Sequence, residues 1–455
     1  MSTSSIDPRE RRAERYFIES WGCQMNVLDA DKMSGALERH GYVRADCAED
    51  ADVVLLNTCS IREKAKEKVF SELGRLKPIK DMRPDVVLGV CGCVAQQEGE
   101  EIFSRAPYVD FVVGTRATRS IPILVDRLRA GDDSARHSVD IELRNDSIHF
   151  PFDQIRREIT GAAKAFVTII EGCNHRCTFC IVPQTRGREI SRTMDDVLRE
   201  VRALAARGIR EVEFLGQTVN AYRDPSGNTL GELLVATARV DGIERIRFTT
   251  SHPAQMTDRL MDAMATARPR LCSYLHLPVQ SGSSRVLLAM RRGYDREGYL
   301  AKISGLRARI PELCLGTDII VGFPTETEED FQQTLSLLHE VDYDTVYSFA
   351  YSVRPGTAAP SLGPDLPEEL KFERLARLNA AQKSIQERRN RSWIGRKVEV
   401  LVEGPNRRNA REWTGRTPEA RWVHFDGSSA PGRIELIRVA QASAFSLRGE
   451  IVVGT

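Results

Sequence analysis

The sequence predicts an α/β protein in three parts: an N-terminal parallel α/β domain, a central partial (β/α)6 barrel and a small all-β C-terminal barrel. Three observations carry that expectation. Strand-like and helix-like apolar patterns alternate from residue 16 to about 130, and do so again from 161 to about 360. Alternation of this kind builds parallel sheets with helices packed on them. From Trp393 the texture changes to short strand-like runs broken by Gly, Pro and Asn turns, as in a small barrel.

Residues 1–14, Ser-rich and then rich in Arg and Glu, read as a disordered tail. The first domain, 15–130, has strands expected at 16–19, 52–57, 85–90 and 108–113. Helices are expected at 29–40, with Gly41 as a C-cap, and at 62–76. The polar, irregular stretch 131–160 reads as a linker. In the second domain, 161–392, strands are expected at 166–170, 211–215, 245–249, 273–277, 316–321 and 345–349, giving six β/α units in a barrel open on one side. A helix at 371–391 carries seven Lys/Arg against two Asp/Glu. The last domain, 393–455, has strands expected at 397–402, 422–425 and 433–439, with ten Lys/Arg and seven Asp/Glu, a net of +3.

Over the whole chain of 455 residues, 65 basic side chains meet 64 acidic ones, so any nucleic-acid site must be a local patch. The start has no apolar signal-like core, and no stretch approaches the ~20 apolar residues of a membrane span. A cytoplasmic protein without membrane contact is expected. Without coiled-coil heptads, the expectation is a monomer. In a reducing compartment the ten cysteines are metal ligands or buried thiols rather than disulfides.

Cys173, Cys177 and Cys180 stand in a C-x3-C-x2-C run just after an apolar strand. Three thiolates on one short loop can hold three irons of a [4Fe-4S] cube and leave the fourth to a small chelating molecule. This is the spacing of radical S-adenosylmethionine (SAM) enzymes. A structural zinc site is the plain alternative, but zinc sites pair two knuckles and no second one lies nearby. Cys23, Cys59 and Cys93 each follow a predicted strand by a few residues. Parallel strands put their carboxyl ends on one edge, so these loops could gather three thiols for a second cluster, with Gly22 and Gly92 letting backbone approach it. The alternative is three buried core cysteines. Cys47, Cys91, Cys272 and Cys314 lack this context and read as core or incidental thiols. Four polar residues at predicted strand ends, Gln217, Ser251, His276 and Gln280, are candidate SAM contacts. Arg186 and Arg188 could meet a phosphate or the SAM carboxylate.

Taken together, the two cysteine sets resemble those of the methylthiotransferases, radical SAM enzymes with two [4Fe-4S] clusters. The residues that carry the resemblance are Ser20-Trp21-Gly22-Cys23-Gln24-Met25-Asn26, Asn57-Thr58-Cys59-Ser60-Ile61-Arg62 and Gly92-Cys93-Val94-Ala95-Gln96. Further on they are Val182-Pro183-Gln184-Thr185-Arg186-Gly187-Arg188-Glu189, Gly216-Gln217-Thr218-Val219-Asn220, Ser251-His252-Pro253 and His276-Leu277-Pro278-Val279-Gln280-Ser281-Gly282. The C-terminal part resembles a TRAM domain. In that family pattern an Asn often stands where this chain has Ala420, which puts one RNA contact in doubt.

The resemblance implies methylthiolation of C2 of N6-isopentenyl (dimethylallyl) adenosine at position 37 of tRNA. SAM would be both methyl donor and radical source, and the Cys23/Cys59/Cys93 cluster would hold sulfur. The tRNA anticodon stem-loop is then the partner, gripped by the 371–391 helix and the C-terminal barrel. A flavodoxin or ferredoxin would be the reducing partner. Alternatives are threonylcarbamoyl-adenosine-37 or a ribosomal-protein aspartate as substrate and, from another class, a non-catalytic iron–sulfur RNA-binding protein.

Overall fold

Val53-Val54-Leu55-Leu56 is apolar at every position, the pattern of a strand buried on both faces. The computed structural model describes residues 13–59, 65–144, 163–406 and 408–452. In it Val53–Thr58 and Val87–Gly92 are buried throughout. The chain divides into two units, Met1–Arg157 with Gln184–Gly187, and Glu158–Pro183 with Arg188–Thr455.

The first unit is a six-stranded parallel sheet in the order Val43–Arg44, Arg15–Ser20, Val53–Thr58, Val87–Gly92, Phe111–Val113, Ser138–Asp140. Alternate residues go to opposite faces. Val53, Leu55, Cys91 and Phe111 pack with Met33, Leu37 and Ile121. Val54, Leu56, Leu88 and Val90 pack with Val69, Leu73 and Val94. Helices Gln24–Arg39 and Ile121–Arg129 therefore cover one face, and Ala65–Met82 and Cys93–Glu98 the other. Two outer strands escaped the sequence reading. One of them, Ser138–Asp140, lies in the stretch taken as a linker, so the sheet runs on past residue 130. The first helix begins at Gln24, directly after Cys23, rather than at 29. Residues 1–12 of the expected tail, 145–160 of the expected linker and the motif segment 60–64 lie outside the described residues.

In the second unit Lys164–Thr168, Glu211–Leu215 and Arg245–Phe248 form one parallel sheet, and Tyr274–His276, Cys314–Val321 and Thr345–Ala350 another. A parallel bridge from Ile246 to Leu271 joins the two. No pairing is found between the first and last of these strands, so the six-stranded barrel stays open there. Val212, Phe214, Ile246, Leu275 and Ile319 face the surrounding helices and form one core with them. The residues between them, Glu211, Glu213, Arg245 and Arg247, are charged yet buried.

The C-terminal strands Lys397–Asn406, Asn409–Arg416, Trp422–Asp426, Leu447–Ile451 and Ile434–Ala442 close into a barrel in that order around Val400, Val402, Phe425 and Ile437. Arg247 donates to the carbonyls of Thr417 (2.6 Å) and Pro418 (3.1 Å), and Arg245 to that of Arg416 (2.7 Å). Thr417 is fully buried, and Arg421 pairs with Asp344 and Asn390. The 417–421 turn thus docks inside this unit. Ala420 has φ +62°, a left-handed conformation that Asn adopts more readily.

Helix Glu368–Arg391 is also less available than its charge suggests. Lys371, Arg374, Arg377, Arg388 and Arg389 hold Asp365, Glu326, Glu328, Asp342 and Asp344 in ion pairs. Only Lys383 and Arg391 of its seven cations carry no ion pair among the described residues, so most of its positive charge is matched locally. No helix among the described residues is long and apolar enough to cross a membrane.

Candidate metal centres

In the first unit the three expected cysteines end three adjacent parallel strands. Cys23 is the N-cap residue of Gln24–Arg39, Cys59 follows Thr58 directly, and Cys93 opens Cys93–Glu98 directly after Gly92. Two buried asparagines lace these loops. Asn26 donates to the Thr58 carbonyl (2.9 Å) and accepts from the Cys23 thiol (3.2 Å). Asn57 donates to the Asn26 carbonyl (2.7 Å) and to Ser20 Oγ (3.0 Å). The Thr58 hydroxyl donates to the Cys91 carbonyl at 2.7 Å, tying the second strand end to the third.

Gly22 and Gly92 have positive φ, but their close neighbours are protein. A Cβ on Gly22 would stand 2.4 Å from Cys59 Cβ, and one on Gly92 would stand 2.5 Å from the Thr58 carbonyl oxygen. They are small so that the cysteine loops can touch each other. Cys91, as expected, turns into the sheet core.

Arg186, whose segment 184–187 belongs to this unit, is buried and pairs with Asp29 at 2.7 Å. Arg188 is exposed. A hydrogen bond from Cys59 pulls the Cys23 thiol down to about 6; burial opposes this, and the Arg186 charge and the Asn26 and Met25 N–H groups assist. At Cys93 burial wins and the pKa rises, with Arg186 moderating it.

In the second unit Cys173, Cys177 and Cys180 lie on the loop beyond Lys164–Thr168 and Ile170–Glu171. The loop is pinned along its length. Gly172 N–H donates to Gln217 Oε1 (2.5 Å), Cys173 Sγ meets Thr218 Oγ1 (3.2 Å), and Asn174 and Glu189 exchange three hydrogen bonds. Thr178 bonds Met290 and Ala289 carbonyls, and Phe179 packs on Val286, Met290, Phe323 and Tyr351. Arg292 donates to Cys177 Sγ at 3.3 Å. Burial raises the Cys180 thiol to about 12 and also raises Cys173.

The four candidate SAM contacts divide. Gln217 is engaged with the cysteine loop itself, and His276 bonds Asp318 at 2.9 Å. Ser251 Oγ and Gln280 Oε1 are buried with no hydrogen-bond partner among the described residues, as is His252 Nε2. His252 stacks on His175 at 3.8 Å, and burial, then the Arg292 charge, hold it neutral. Orphaned buried polar atoms at strand ends beside three thiols suit a small polar ligand.

Among the described residues no three His, Cys, Asp or Glu side chains converge as a cage for one metal ion. A cube carries its irons at separate corners, so three thiolates need not meet at one point. The donor sets, their burial and the adjoining guanidinium groups fit iron–sulfur clusters. Asn26, Asn57, Thr218 and Glu189 stand in the quoted motifs without an assigned role, and Arg292 lies outside them. They act by reaching loops far away in the chain, which spacing alone does not encode.

Residues 15–114 match an uncharacterised protein family, UPF0004, residues 167–338 the radical SAM superfamily, and residues 391–452 the TRAM domain. Radical SAM enzymes use a [4Fe-4S] cluster and SAM. Among solved structures, the radical SAM methyltransferase TsrM of Kitasatospora setae aligns with TM-score 0.58 at 15% identity, covering 77% of each chain. OxsB, a cobalamin-dependent radical SAM enzyme, aligns with TM-score 0.53 at 13% identity, over 82% of this chain and 56% of that one. These two show the fold alone.

The tRNA-2-methylthio-N(6)-dimethylallyladenosine synthase of Paraburkholderia phytofirmans is 46% identical over 97% of both chains. That of Burkholderia ambifaria (strain MC40-6) is 47% identical over the same shares. The chain belongs to the family of tRNA-2-methylthio-N(6)-dimethylallyladenosine synthases.

Proposed function

We propose that this protein methylthiolates C2 of N6-dimethylallyladenosine at position 37 of tRNA, with SAM as methyl donor and radical source. The observation that carries the reading is the pair of cysteine triads, each on strand-end loops, in a chain 46% identical to such synthases over almost its whole length. C2 of adenine offers an unactivated C–H bond and no leaving group, so acid–base groups alone would not open it. A [4Fe-4S] cluster with an open iron supplies, with SAM, the radical chemistry such a bond requires, and a second cluster supplies a place for sulfur.

The residues do the rest. Cys173, Cys177 and Cys180 would hold the first cluster, and Cys23, Cys59 and Cys93 the second. Gln217 and Thr218 hold the first loop in place through Gly172 and Cys173. Ser251, Gln280 and His252 offer unspent buried polar atoms to SAM. His276 is fixed by Asp318 and stands edge-on to Tyr347, an arrangement suited to lining the substrate space. The C-terminal barrel would bind the anticodon stem-loop through backbone phosphates, with affinity falling steeply as salt rises. A flavodoxin- or ferredoxin-like protein would donate the electrons.

The test is an anaerobic assay of the reconstituted protein with SAM, reductant and tRNA carrying dimethylallyladenosine-37, read by nucleoside mass spectrometry. A methylthio product lost in both Cys59→Ala and Cys177→Ala is the expected result. SAM cleavage without that product would move the substrate to threonylcarbamoyl-adenosine or a protein aspartate. Intact clusters without SAM cleavage would overturn the catalytic reading.

A further inference from the structure

The charge balance around Cys177 is unlike that around any other strongly buried cation of this unit for which a partner is seen. Arg192, Arg247, Arg374 and Arg421 are each buried, and each holds a carboxylate: Glu200, Glu211, Glu326 and Asp344. Arg292 is only 6% exposed and has no carboxylate at ion-pair distance among the described residues. Each nitrogen of its guanidinium nonetheless has a partner. Nε donates to Tyr294 Oη (2.9 Å), Nη2 to the Pro278 carbonyl (2.9 Å) and Nη1 to Cys177 Sγ (3.3 Å). The Tyr294 hydroxyl is fixed in turn by the Val279 carbonyl at 2.9 Å, and its ring lies 5.5 Å from the guanidinium carbon.

Burying a cation without a counter-charge is costly. A hydroxyl and a carbonyl orient the guanidinium but do not neutralise it. Of these contacts, the sulfur of Cys177 is the one that is a thiolate when it ligates iron. A cube held by three thiolates is net anionic, so a cluster at this loop is the counter-ion the site lacks.

We propose that Arg292 is the built-in counter-cation of the Cys173/Cys177/Cys180 cluster, and that its N–H···S bond to Cys177 sets that cluster's reduction potential. The inference rests on the reading that this triad holds a cluster. Net charge and hydrogen bonds to the sulfurs are the levers by which proteins tune such clusters. Positive charge and an N–H donor both favour the reduced, more negative state, so Arg292 raises the potential. It does this as a positioning residue, without itself meeting substrate. The guanidinium is suited to the place because its planar fork meets three directions at once, which a lysine ammonium on a flexible stem does not.

The experiment uses the full chain with Cys23, Cys59 and Cys93 replaced by Ala, so that one cluster gives the whole signal. Iron and sulfide per chain are measured after anaerobic reconstitution, followed by an EPR-monitored reductive titration with dithionite and viologen mediators. Arg292→Met and Arg292→Lys are compared with the parent. The expected result is a lower potential in Arg292→Met, by at least a tenfold change in the reduced-to-oxidised ratio at fixed potential, which is 59 mV for one electron. Arg292→Lys should fall between.

Equal potentials in all three proteins would overturn the proposal while leaving the cluster site standing. No cluster in the parent would overturn the site reading itself. Should Arg292→Met lose its iron while Arg292→Lys keeps it, the charge is required for the cluster to be held, and the proposal stands. Loss of iron in both, with melting temperatures unchanged, would mean that the shape of the side chain matters and its charge does not, and would overturn it.

Discussion

Arg247 donates from Nη2 to the backbone carbonyl of Thr417 at 2.6 Å, while its Nε holds the Glu211 carboxylate at 3.0 Å. One buried guanidinium thus joins a central strand to the C-terminal barrel. Replacing it with Met leaves Glu211 buried without its partner and two carbonyls without donors. Arg247→Met should cost about 3–5 kcal/mol, read as a lower denaturation midpoint with faster proteolysis in the 415–421 turn. A midpoint within 1 °C of the parent would contradict this docking role.

Ala420 sits at φ +62°. A left-handed conformation costs a non-glycine residue about 1–2 kcal/mol. Ala420→Gly should therefore raise the melting temperature, and Ala420→Asn should do so less. Because the turn packs internally, neither should change tRNA affinity more than twofold. A large gain in affinity with Asn would restore the residue as an RNA contact.

Two glycine variants separate backbone strain from collision. Gly22→Ala places a Cβ 2.4 Å from Cys59 Cβ, whereas a Cβ on Gly41, also at positive φ (+89°), meets nothing within 4 Å. Both should lose about 1 kcal/mol to strain, but only Gly22→Ala should lose iron when the Cys173/Cys177/Cys180 set is replaced by Ala. Equal iron in the two variants would show that the loop contact does not matter for the site.

Asn26 and Asn57 hold the first-unit loops by bonds to carbonyls and to each other's residues. Asn26→Ala removes one partner each from the Thr58 carbonyl and the Cys23 thiol, a loss of about 1–3 kcal/mol. In the same single-triad background it should halve the iron retained after gel filtration, or worse. Full retention would mean that the cysteine loops keep their form unaided.

Asp330 accepts from Ser283 Oγ (2.6 Å) and from Thr327 N–H (2.9 Å), and pairs with Arg285. Burial would raise its pKa, but the bonds from Arg285, Ser283 and Thr327 outweigh burial and depress it. A depressed folded-state pKa gives stability that is present above the unfolded value of about 3.9 and lost as pH falls below it. Asp330→Asn should lower stability at pH 7 and flatten the acid limb below pH 4. A parallel downward shift at all pH values would rule out the linkage.

Much of this architecture is legible from the chain because buried parallel strands are apolar at every position. Runs such as Val53-Val54-Leu55-Leu56 and Val86-Val87-Leu88 point to a sheet, and the cysteines that follow them then fall on one edge. Val43–Arg44 and Ser138–Asp140 were not legible, since short outer strands owe their form to a neighbour's backbone. The local pairing of the 371–391 helix was not legible, because its acidic partners Glu326, Asp342 and Asp344 lie elsewhere in the sequence. Gln217 was placed correctly at a strand end, but its carbonyl is already committed to the Gly172 amide.

Arg186 falls in a four-residue segment that belongs to the first unit although the chain around it belongs to the second. The first unit is consequently not a detachable module in the genetic sense. A gene fragment ending between codons 141 and 183 would encode the whole sheet and all three of its strand-end cysteines. It would also leave the Asp29 carboxylate buried with Lys32, at 3.8 Å, as its remaining cation. Shuffling this unit between relatives would therefore need three crossover points, the last two of them on either side of Gln184–Gly187.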